Sequence, residues 1–395
     1  MKRVFSFVKL LLLSAFLTGC AGANRPFYPI GIYGVPSTND FQTIKSAGFN
    51  AVAGRAEAGY LDDAERSRLK VLATPGNQAG SQFNRQAARQ IIAQYDSHPA
   101  LWAWYVSDEP DLNLVSPQDV AAAVRFCKSA GARKPTALVL YRGADAIDYG
   151  SISDILMIDC YPIPWHPLAS FPQNVGMAGL SAGKNKPLIA VIQAFDWSAY
   201  PGLLPGETGL RPPTRGEIRA MTYCALAKRA TGLFYYAFKD GTWDMEKQPQ
   251  TWDALRDVVR EVNARLPLFE AKHLWWPREQ KFHETTNSEN AAVSATGSPA
   301  GQGETGSGFK GWNEAMESSV NVALLRVVHG NQTIAAGRYL LAVNNTRRTF
   351  EYQVTVPAAN KNEIEVLGED RQVSPDNGWL TDDFGPYEVH IYGPF

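Results

Sequence analysis

From Tyr28 to Val262 the sequence alternates short apolar runs, rich in Val, Ile, Tyr and Phe, with stretches whose apolar residues recur at three- and four-residue intervals. Runs of the first kind read as strands and stretches of the second kind as amphipathic helices. The strand-like runs are Tyr28–Val35, Phe49–Gly54, Leu69–Thr74, one opening at Leu101, Thr136–Tyr141, Asp154–Tyr161, Pro187–Phe195 and Gly232–Phe238. Eight such strands over about 235 residues have the length and rhythm of a (β/α)8 TIM barrel. A doubly wound open sheet would carry a glycine-rich phosphate loop after an early strand, and no such loop is present.

The intervening helices carry their own signals. Phe41, Ile44 and Ala47 share a helical face that Gly48 terminates, and a helix is expected from Phe83 to Tyr95. Ser116-Pro117-Gln118-Asp119 opens another, with an N-cap serine, proline at the first position and aspartate in place of the usual Glu or Gln. Thr214-Arg215-Gly216-Glu217 is a second capping box, and Trp252, Leu255, Val259 and Val262 form the last helical face.

Beyond about Leu266 the helical period disappears. Val322–Val328, Tyr339–Asn344, Phe350–Val356 and Glu388–Tyr392 read as short strands separated by polar turns, which predicts an all-β sandwich over residues 266–395 behind a barrel over 27–265. The Gly/Ser/Thr-rich stretch 295–308 is expected to be a mobile loop within the second domain.

Hydrophobic residues at 45% and charged residues at 19% exclude a disordered chain, and no basic run suggests nucleic acid. Residues 1–19 have a positive start (Lys2, Arg3, Lys9) and a short apolar core, too short for a transmembrane helix, and read as a targeting segment. The stretch ends Leu17-Thr18-Gly19-Cys20, which resembles the lipobox of bacterial lipoproteins. That resemblance implies cleavage before Cys20, a lipid on its thiol, a tether over 20–26 and an extracytoplasmic, membrane-anchored protein. Ala21 in place of aspartate would favour the outer membrane in a Gram-negative host. Loss of Lys2, Arg3 and Lys9 changes the balance of 38 cations and 39 anions to 35 against 39, a formal charge of −4. Cys127, Cys160 and Cys224 then remain, an odd number in apolar stretches, and buried thiols are expected. With no CxxC or HExxH pattern, neither a metal nor another cofactor is indicated.

In a barrel the C-terminal strand ends converge on one mouth. The run from Leu101 ends at Asp108-Glu109-Pro110, two acids at a strand tip that proline closes. A helix cap at Asp108 with solvated neighbours is the plainer reading of those acids. The other strand ends offer Tyr33, Arg55, Glu57, Tyr141, Arg142, Asp159, Tyr161, Gln193, Asp196, Tyr236, Lys239 and Asp240. Carboxylates, amides and aromatics at one mouth suit glycoside cleavage, in which an acid protonates the leaving oxygen and a carboxylate stabilises or attacks the developing cation. Trp165, Trp197 and Trp243 follow strands six, seven and eight, where they suit stacking on sugar, whereas Trp102, Trp104 and Tyr105 read as core. Lys239-Asp240 also reads as a plain ion pair, and Asp159 as a structural acceptor for a loop amide.

The segment from His98-Pro99-Ala100-Leu101 through Trp104-Tyr105 to Asp108-Glu109-Pro110 resembles the fourth strand of clan A glycoside hydrolases. The resemblance implies that Glu109 is the general acid/base and that Asp108 stands where the family has an asparagine. Gln193 occupies the strand-seven position of the family's nucleophilic glutamate. Gln193-Ala194-Phe195, Arg211-Pro212-Pro213-Thr214 and Gly232-Leu233-Phe234-Tyr235-Tyr236 together resemble a group of bacterial glycosidase-like barrels. Glu109 therefore needs another partner, and Asp159, at the end of an apolar strand, is the first choice, ahead of Asp196 and Asp240. Alternatively, a substrate N-acetyl group would replace the nucleophile, with Asp159 and Tyr161 orienting it. Tyr33, Arg55, Asp108, Tyr161, Gln193, Tyr236, Lys239, Asp240, Trp165 and Trp197 are the expected carbohydrate-binding residues. Two other functions fit the same sequence: a non-catalytic glycan-binding envelope lipoprotein, favoured by Gln193, and a structural protein whose sandwich docks a partner.

Overall fold

The computed structural model describes residues 27–395 apart from 81–82, 184, 204–205, 277, 285–318 and 358–362. The targeting segment 1–19, Cys20, the tether 20–26 and the stretch 295–308 lie outside the described residues.

Strands β1 (Ile30–Ile32), β2 (Ala51–Arg55), β3 (Lys70–Thr74), β4 (Leu101–Ser107), β5 (Thr136–Leu140), β6 (Ile155–Asp159), β7 (Leu188–Gln193) and β8 (Gly232–Tyr236) pair in sequence order, all parallel, and β8 returns to β1. The barrel is closed. Helices α1 (Phe41–Ser46), α2 (Ala58–Arg66), α3 (Arg85–Tyr95), α4 (Pro117–Ser129), α5 (Ala146–Tyr149), α6 (Ser170–Ala182), α7 (Arg215–Ala227) and α8 (Pro249–Ala264) follow the successive strands. Helix α6 has no counterpart in the sequence expectation, because Pro172, Gly176 and Gly179 interrupt its face of Phe171, Val175 and Ala178. Pro172 lies in the first turn, where helices tolerate proline.

Side chains alternate across the barrel wall. Ala51, Leu72, Ala103, Ala137, Met157, Val191 and Phe234 fill the interior, while Leu101, Trp104, Leu138, Leu156 and Ile192 pack outward against the helices. A Cβ on Gly31 would come within 2.4 Å of the Phe234 ring, so only glycine lets β1 pass beside it. Outside, the fully buried Trp104 donates its indole N–H to Asp96 at 2.9 Å. Ser116 caps α4 through the Asp119 amide. Thr214 and Glu217 complete the reciprocal box at the start of α7, and Arg211 grips the buried Glu217 carboxylate with two bonds of 2.7 Å.

The one-turn α9 (Leu266–Phe269) still packs into the barrel core, so helical structure runs slightly past the expected change of pattern. A short antiparallel pair, β9 (Lys239–Asp240) and β10 (Trp243–Asp244), lies between β8 and α8 at the barrel mouth. The C-terminal strands are β11 (Lys272–Leu274), β12 (Gln280–Glu284), β13 (Val320–Val327), β14 (Gly337–Asn344), β15 (Phe350–Thr355), β16 (Ile364–Val366), β17 (Arg371–Val373), β18 (Trp379–Phe384) and β19 (Val389–Tyr392). They form a six-stranded sheet, β11-β13-β14-β19-β16-β17, and a three-stranded sheet, β12-β15-β18. Leu324, Leu340, Tyr352, Leu380 and Phe384 pack between the sheets, the layering of a β-sandwich. The opposite face of the larger sheet, with Leu325, Leu341, Val343 and Ile391, joins the barrel's outer core. Burial on both faces explains why β14 reads as an almost unbroken apolar run.

Candidate active site

Strand β4 ends at Ser107, and the chain then turns sharply through Asp108 and Glu109. Glu109 has φ 41°, in the left-handed region that is uncommon for a non-glycine residue. Its amide donates to the Val139 carbonyl at 3.1 Å, and its own carbonyl accepts from Leu112 at 3.1 Å and Asn113 at 2.8 Å. Those bonds hold a conformation that costs on the order of 1 kcal/mol. Asp159 is reached by simple alternation: Ile155 and Met157 face the barrel interior, and Asp159 continues their row at the end of β6. The two carboxyl groups lie close enough for each to act on the other, and Asp159 Oδ1 is buried without a hydrogen-bond partner among the described residues.

Burial, and then the charge of Asp108, push the Glu109 carboxyl up from an ordinary 4.5 to about 7. Burial, and then the charges of Glu109 and Asp108, hold Asp159 well above the usual carboxylate range. Among the described residues no Lys or Arg forms an ion pair with either group. Two like charges this close, one of them on the buried Asp159, disfavour each other's ionised form, so the two carboxyls titrate as a unit.

Aromatic side chains wall this pair. Tyr161 donates to Asp159 Oδ2 at 3.2 Å, and its ring stacks on Tyr236 with centroids 5.5 Å apart. Tyr33 lies 5.5 Å from Tyr236 and 6.2 Å from Tyr105, ring to ring. Tyr105 donates its hydroxyl to Asp108, which stands at the solvent-exposed edge of the mouth. Tyr200 and Tyr236 both donate to Asp240 Oδ2, the former at 2.7 Å. Trp165 and Trp197 sit 5.8 Å apart, and Trp197 also meets Tyr161, Phe195 and Tyr200. Glu109, Asp159, Asp108, Tyr33, Tyr161, Tyr236, Asp240 and the Trp165–Trp197 pair thus share one rim.

Other residues singled out in the sequence have different surroundings. Gln193 is fully buried; its Oε1 accepts from Ile163 N at 2.9 Å, and its Nε2 donates to the carbonyls of Ile163 at 2.8 Å and Phe195 at 3.3 Å. Its amide fastens the loop after β6 to the end of β7. Lys239 pairs with Asp40 at 3.2 Å and Glu246 at 2.7 Å rather than with Asp240. Arg55 bonds Glu57 and the Pro36 carbonyl, both at 2.7 Å, and with Lys239, Asp240 and Trp243 lines a side cleft of about 460 Å³. Trp243 is buried and donates to the Ala237 carbonyl at 2.9 Å, while Asp196 accepts from the Ser198 amide at 2.9 Å. Cys127 and Cys224 are buried, Cys160 is half-buried, and all three are free thiols.

Tyr105, Tyr200 and Asp111 join the site without having been singled out for it. The Tyr105 ring is core, as its strand position predicts, but its hydroxyl reaches the rim. Asp111 is buried, accepting from the amides of Tyr141 at 3.2 Å and Arg142 at 2.7 Å, and it ties the Glu109 turn to the end of β5. Proline after paired acids was the one available signal that Asp111 lies in a constrained turn. Among the described residues no group of three or more His, Cys, Asp or Glu side chains is arranged to hold a metal ion.

No protein-family model matches the chain. No curated protein is significantly similar to it. Solved structures are similar in fold. A catalytic mutant of Gan42B, a GH42 β-galactosidase from G. stearothermophilus, superposes with a TM-score of 0.57 at 9% identity, over 92% of this chain and 98% of that one. A glycoside hydrolase family 5 protein from Bacteroides vulgatus gives 0.52 at 13% identity, over 93% and 89%. The α-amylase of Geobacillus thermoleovorans, complexed with acarbose, gives 0.51 at 10% identity, over 92% and 97%. The chain has the (β/α)8 barrel fold of these glycoside hydrolases, and at such identities the likeness is one of fold alone.

Proposed function

We propose that the protein hydrolyses a glycosidic bond of an extracytoplasmic oligo- or polysaccharide, with Glu109 as general acid/base and Asp159 as its partner carboxylate. The observation that carries this reading is the placing of the half-buried Glu109, just past the end of β4, and the buried Asp159, at the end of β6, at one barrel mouth walled by tyrosines, with burial and then the charge of Glu109 raising the Asp159 carboxyl. A carboxyl titrating near neutrality is suited to giving and taking a proton. In the proposed reaction Glu109 donates its proton to the glycosidic oxygen as the bond from that oxygen to the anomeric carbon breaks. The negative charge left on the Glu109–Asp159 pair faces the developing oxocarbenium ion. A water oxygen then bonds to the anomeric carbon, and its proton returns to the pair. Trp165, 37% exposed beside Trp197, offers an apolar face to the sugar ring.

Anchoring through a lipidated Cys20 belongs to the same proposal and rests on the lipobox-like segment. The test is a reducing-end release assay over a glycan panel, with wild type and Glu109→Gln side by side. Product from the wild type alone supports the reading, and equal product from both removes Glu109 from the mechanism. The locked Gln193 amide at the tip of β7 favours a second reading, a glycan-binding protein without turnover. That reading expects binding by both proteins and release by neither.

A further inference from the structure

The end of the barrel opposite the mouth has a chemistry of its own. Parallel strands all begin there, and four of the eight carry cations just before or at their start: Arg68 and Lys70 at β3, Lys134 before β5, Lys186 before β7 and Arg229 before β8, while Asp154 precedes β6. Lys272 at the start of β11 adds a sixth. Arg68, Lys134 and Arg229 form no ion pair among the described residues, although the charge of Asp96 reaches Lys134.

The carboxylates nearby are largely occupied. Asp96 accepts from the Trp104 indole and from the amides of Arg133 and Lys134, and Asp154 holds Lys128 at 2.9 Å and Thr136. Glu270 adds one further negative charge to the rim. The mouth, by contrast, collects Asp108, Glu109, Asp159 and Asp240. Arg55, Arg142 and Lys239 on the mouth side are each paired with a carboxylate, so cations without an ion pair, Arg68, Lys134 and Arg229, gather at the strand-start end.

This basic end also exposes apolar surface. Phe27 is 40% and Val328 48% exposed, and both line a cavity of about 1140 Å³ with Arg229 and Lys272. Trp102, Ile189 and Phe269 form its apolar wall. The recess itself is lined by Arg229 and Lys272 beside Asp154 and Glu270, and the further cations Arg68, Lys70, Lys134 and Lys186 lie on the same end outside it. Apolar surface within a net basic end matches an anionic amphiphile, the chemistry of an acidic phospholipid. The described chain begins on this face at Phe27, and the seven residues 20–26, at about 3.5 Å each, reach no further than about 25 Å.

We propose that the strand-start end of the barrel is a docking face for an anionic lipid surface, which orients the catalytic mouth away from the membrane. The anchor at Cys20 would hold this face near the bilayer; the cations and Phe27 would set its orientation. The membrane context rests on the lipoprotein reading above, but the face can be tested without it.

Ala21–Phe395 contains every described strand and both packed cores, and it lacks the anchoring thiol and the cations Lys2, Arg3 and Lys9. Its co-sedimentation is measured with phosphatidylcholine vesicles, with and without about 30% phosphatidylglycerol. Binding only to the anionic vesicles, weakened by salt, is expected despite the net negative charge. Lys70→Gln, Lys134→Gln and Arg229→Gln together should weaken it tenfold or more, at up to about fivefold per cation. Lys247→Gln with Arg260→Gln, on other surfaces, should change it less than twofold. Val328→Asp gives an independent variant at an exposed site, expected to weaken binding without unfolding the protein. No binding to anionic vesicles, equal binding to neutral ones, or unchanged binding by both the triple variant and Val328→Asp would overturn the proposal. Mass spectrometry of the full-length protein for lipid on Cys20, and the glycan-release assay, test the underlying reading separately.

Discussion

Replacing Glu109 with glutamine should make the protein more stable at alkaline pH while abolishing the proposed acid. The folded protein holds the Glu109 carboxyl at about 7 against an ordinary 4.5. Between those values the folded state binds more protons than the unfolded chain, so this group's contribution to stability falls as pH rises through the window. The cost is absent below about pH 4.5 and fully present above about pH 7. At ~1.4 kcal/mol per pH unit the displacement corresponds to about 3.5 kcal/mol, and screening by water at the open mouth brings the expectation to about 2–3 kcal/mol. Glutamine keeps the shape and offers Asp159 a donor, so the variant should gain that amount over wild type at pH 8 and little at pH 4. Urea unfolding of both proteins at several pH values measures the difference directly and cancels the common groups that do not interact with Glu109. Asp159, relieved of the Glu109 charge, adds to the gain in the same direction. A difference that is independent of pH, or that favours wild type as pH rises, would refute the reasoning.

Further outcomes follow from the same geometry. Once a substrate is in hand, kcat/KM should decline above about pH 7, because the proposed acid form of Glu109 is lost there, and a flat profile through that range would count against it. Gln193→Glu removes the donor facing the Ile163 and Phe195 carbonyls and buries a charge, so thermal unfolding should report a loss of about 3 kcal/mol or more rather than a restored nucleophile. Burial alone would raise the Glu217 carboxyl, but Arg211 and the Thr214 amide hold it below its ordinary range, so its stabilisation is present above the unfolded value and is lost as pH falls through the folded one. Arg211→Ala should therefore cost about 3–5 kcal/mol at neutral pH and less in acid, as chemical denaturation would show. Trp165→Ala should raise KM several-fold with a smaller effect on kcat, and unchanged kinetics would place the sugar elsewhere.

The barrel was legible in the sequence because its strands are buried on both faces and so stand out as short apolar runs, such as Leu188–Gln193 and Ile155–Asp159. The same property makes Asp159 conspicuous, since a carboxylate ending such a run has to face something. Strands β16 and β17 have only three residues each, too few for an alternation to register. In β18 only Leu380 and Phe384 are buried, while Asp382 is held by Arg371 and Tyr392 from strands of the facing sheet. No local pattern encodes a cross-strand carboxylate of that kind. The site shows the same limit. The inward row of β6 can be counted from the sequence, but the reach of the Tyr105 hydroxyl to Asp108, the meeting of Tyr200 and Tyr236 on Asp240, and the closure of Gln193 onto Ile163 depend on loops brought together only by the closed barrel.

The most direct test of the catalytic reading is a double-mutant cycle on kcat/KM, using the best substrate from the glycan panel with wild type, Glu109→Gln, Asp159→Asn and the double variant. If the two carboxyls act as one proton-sharing unit, each single change should lower kcat/KM by about 10²–10⁴-fold, and the double variant should be little worse than the poorer single. Hydrolysis that survives Glu109→Gln at near wild-type rate, or losses that multiply in the double variant, would contradict the account.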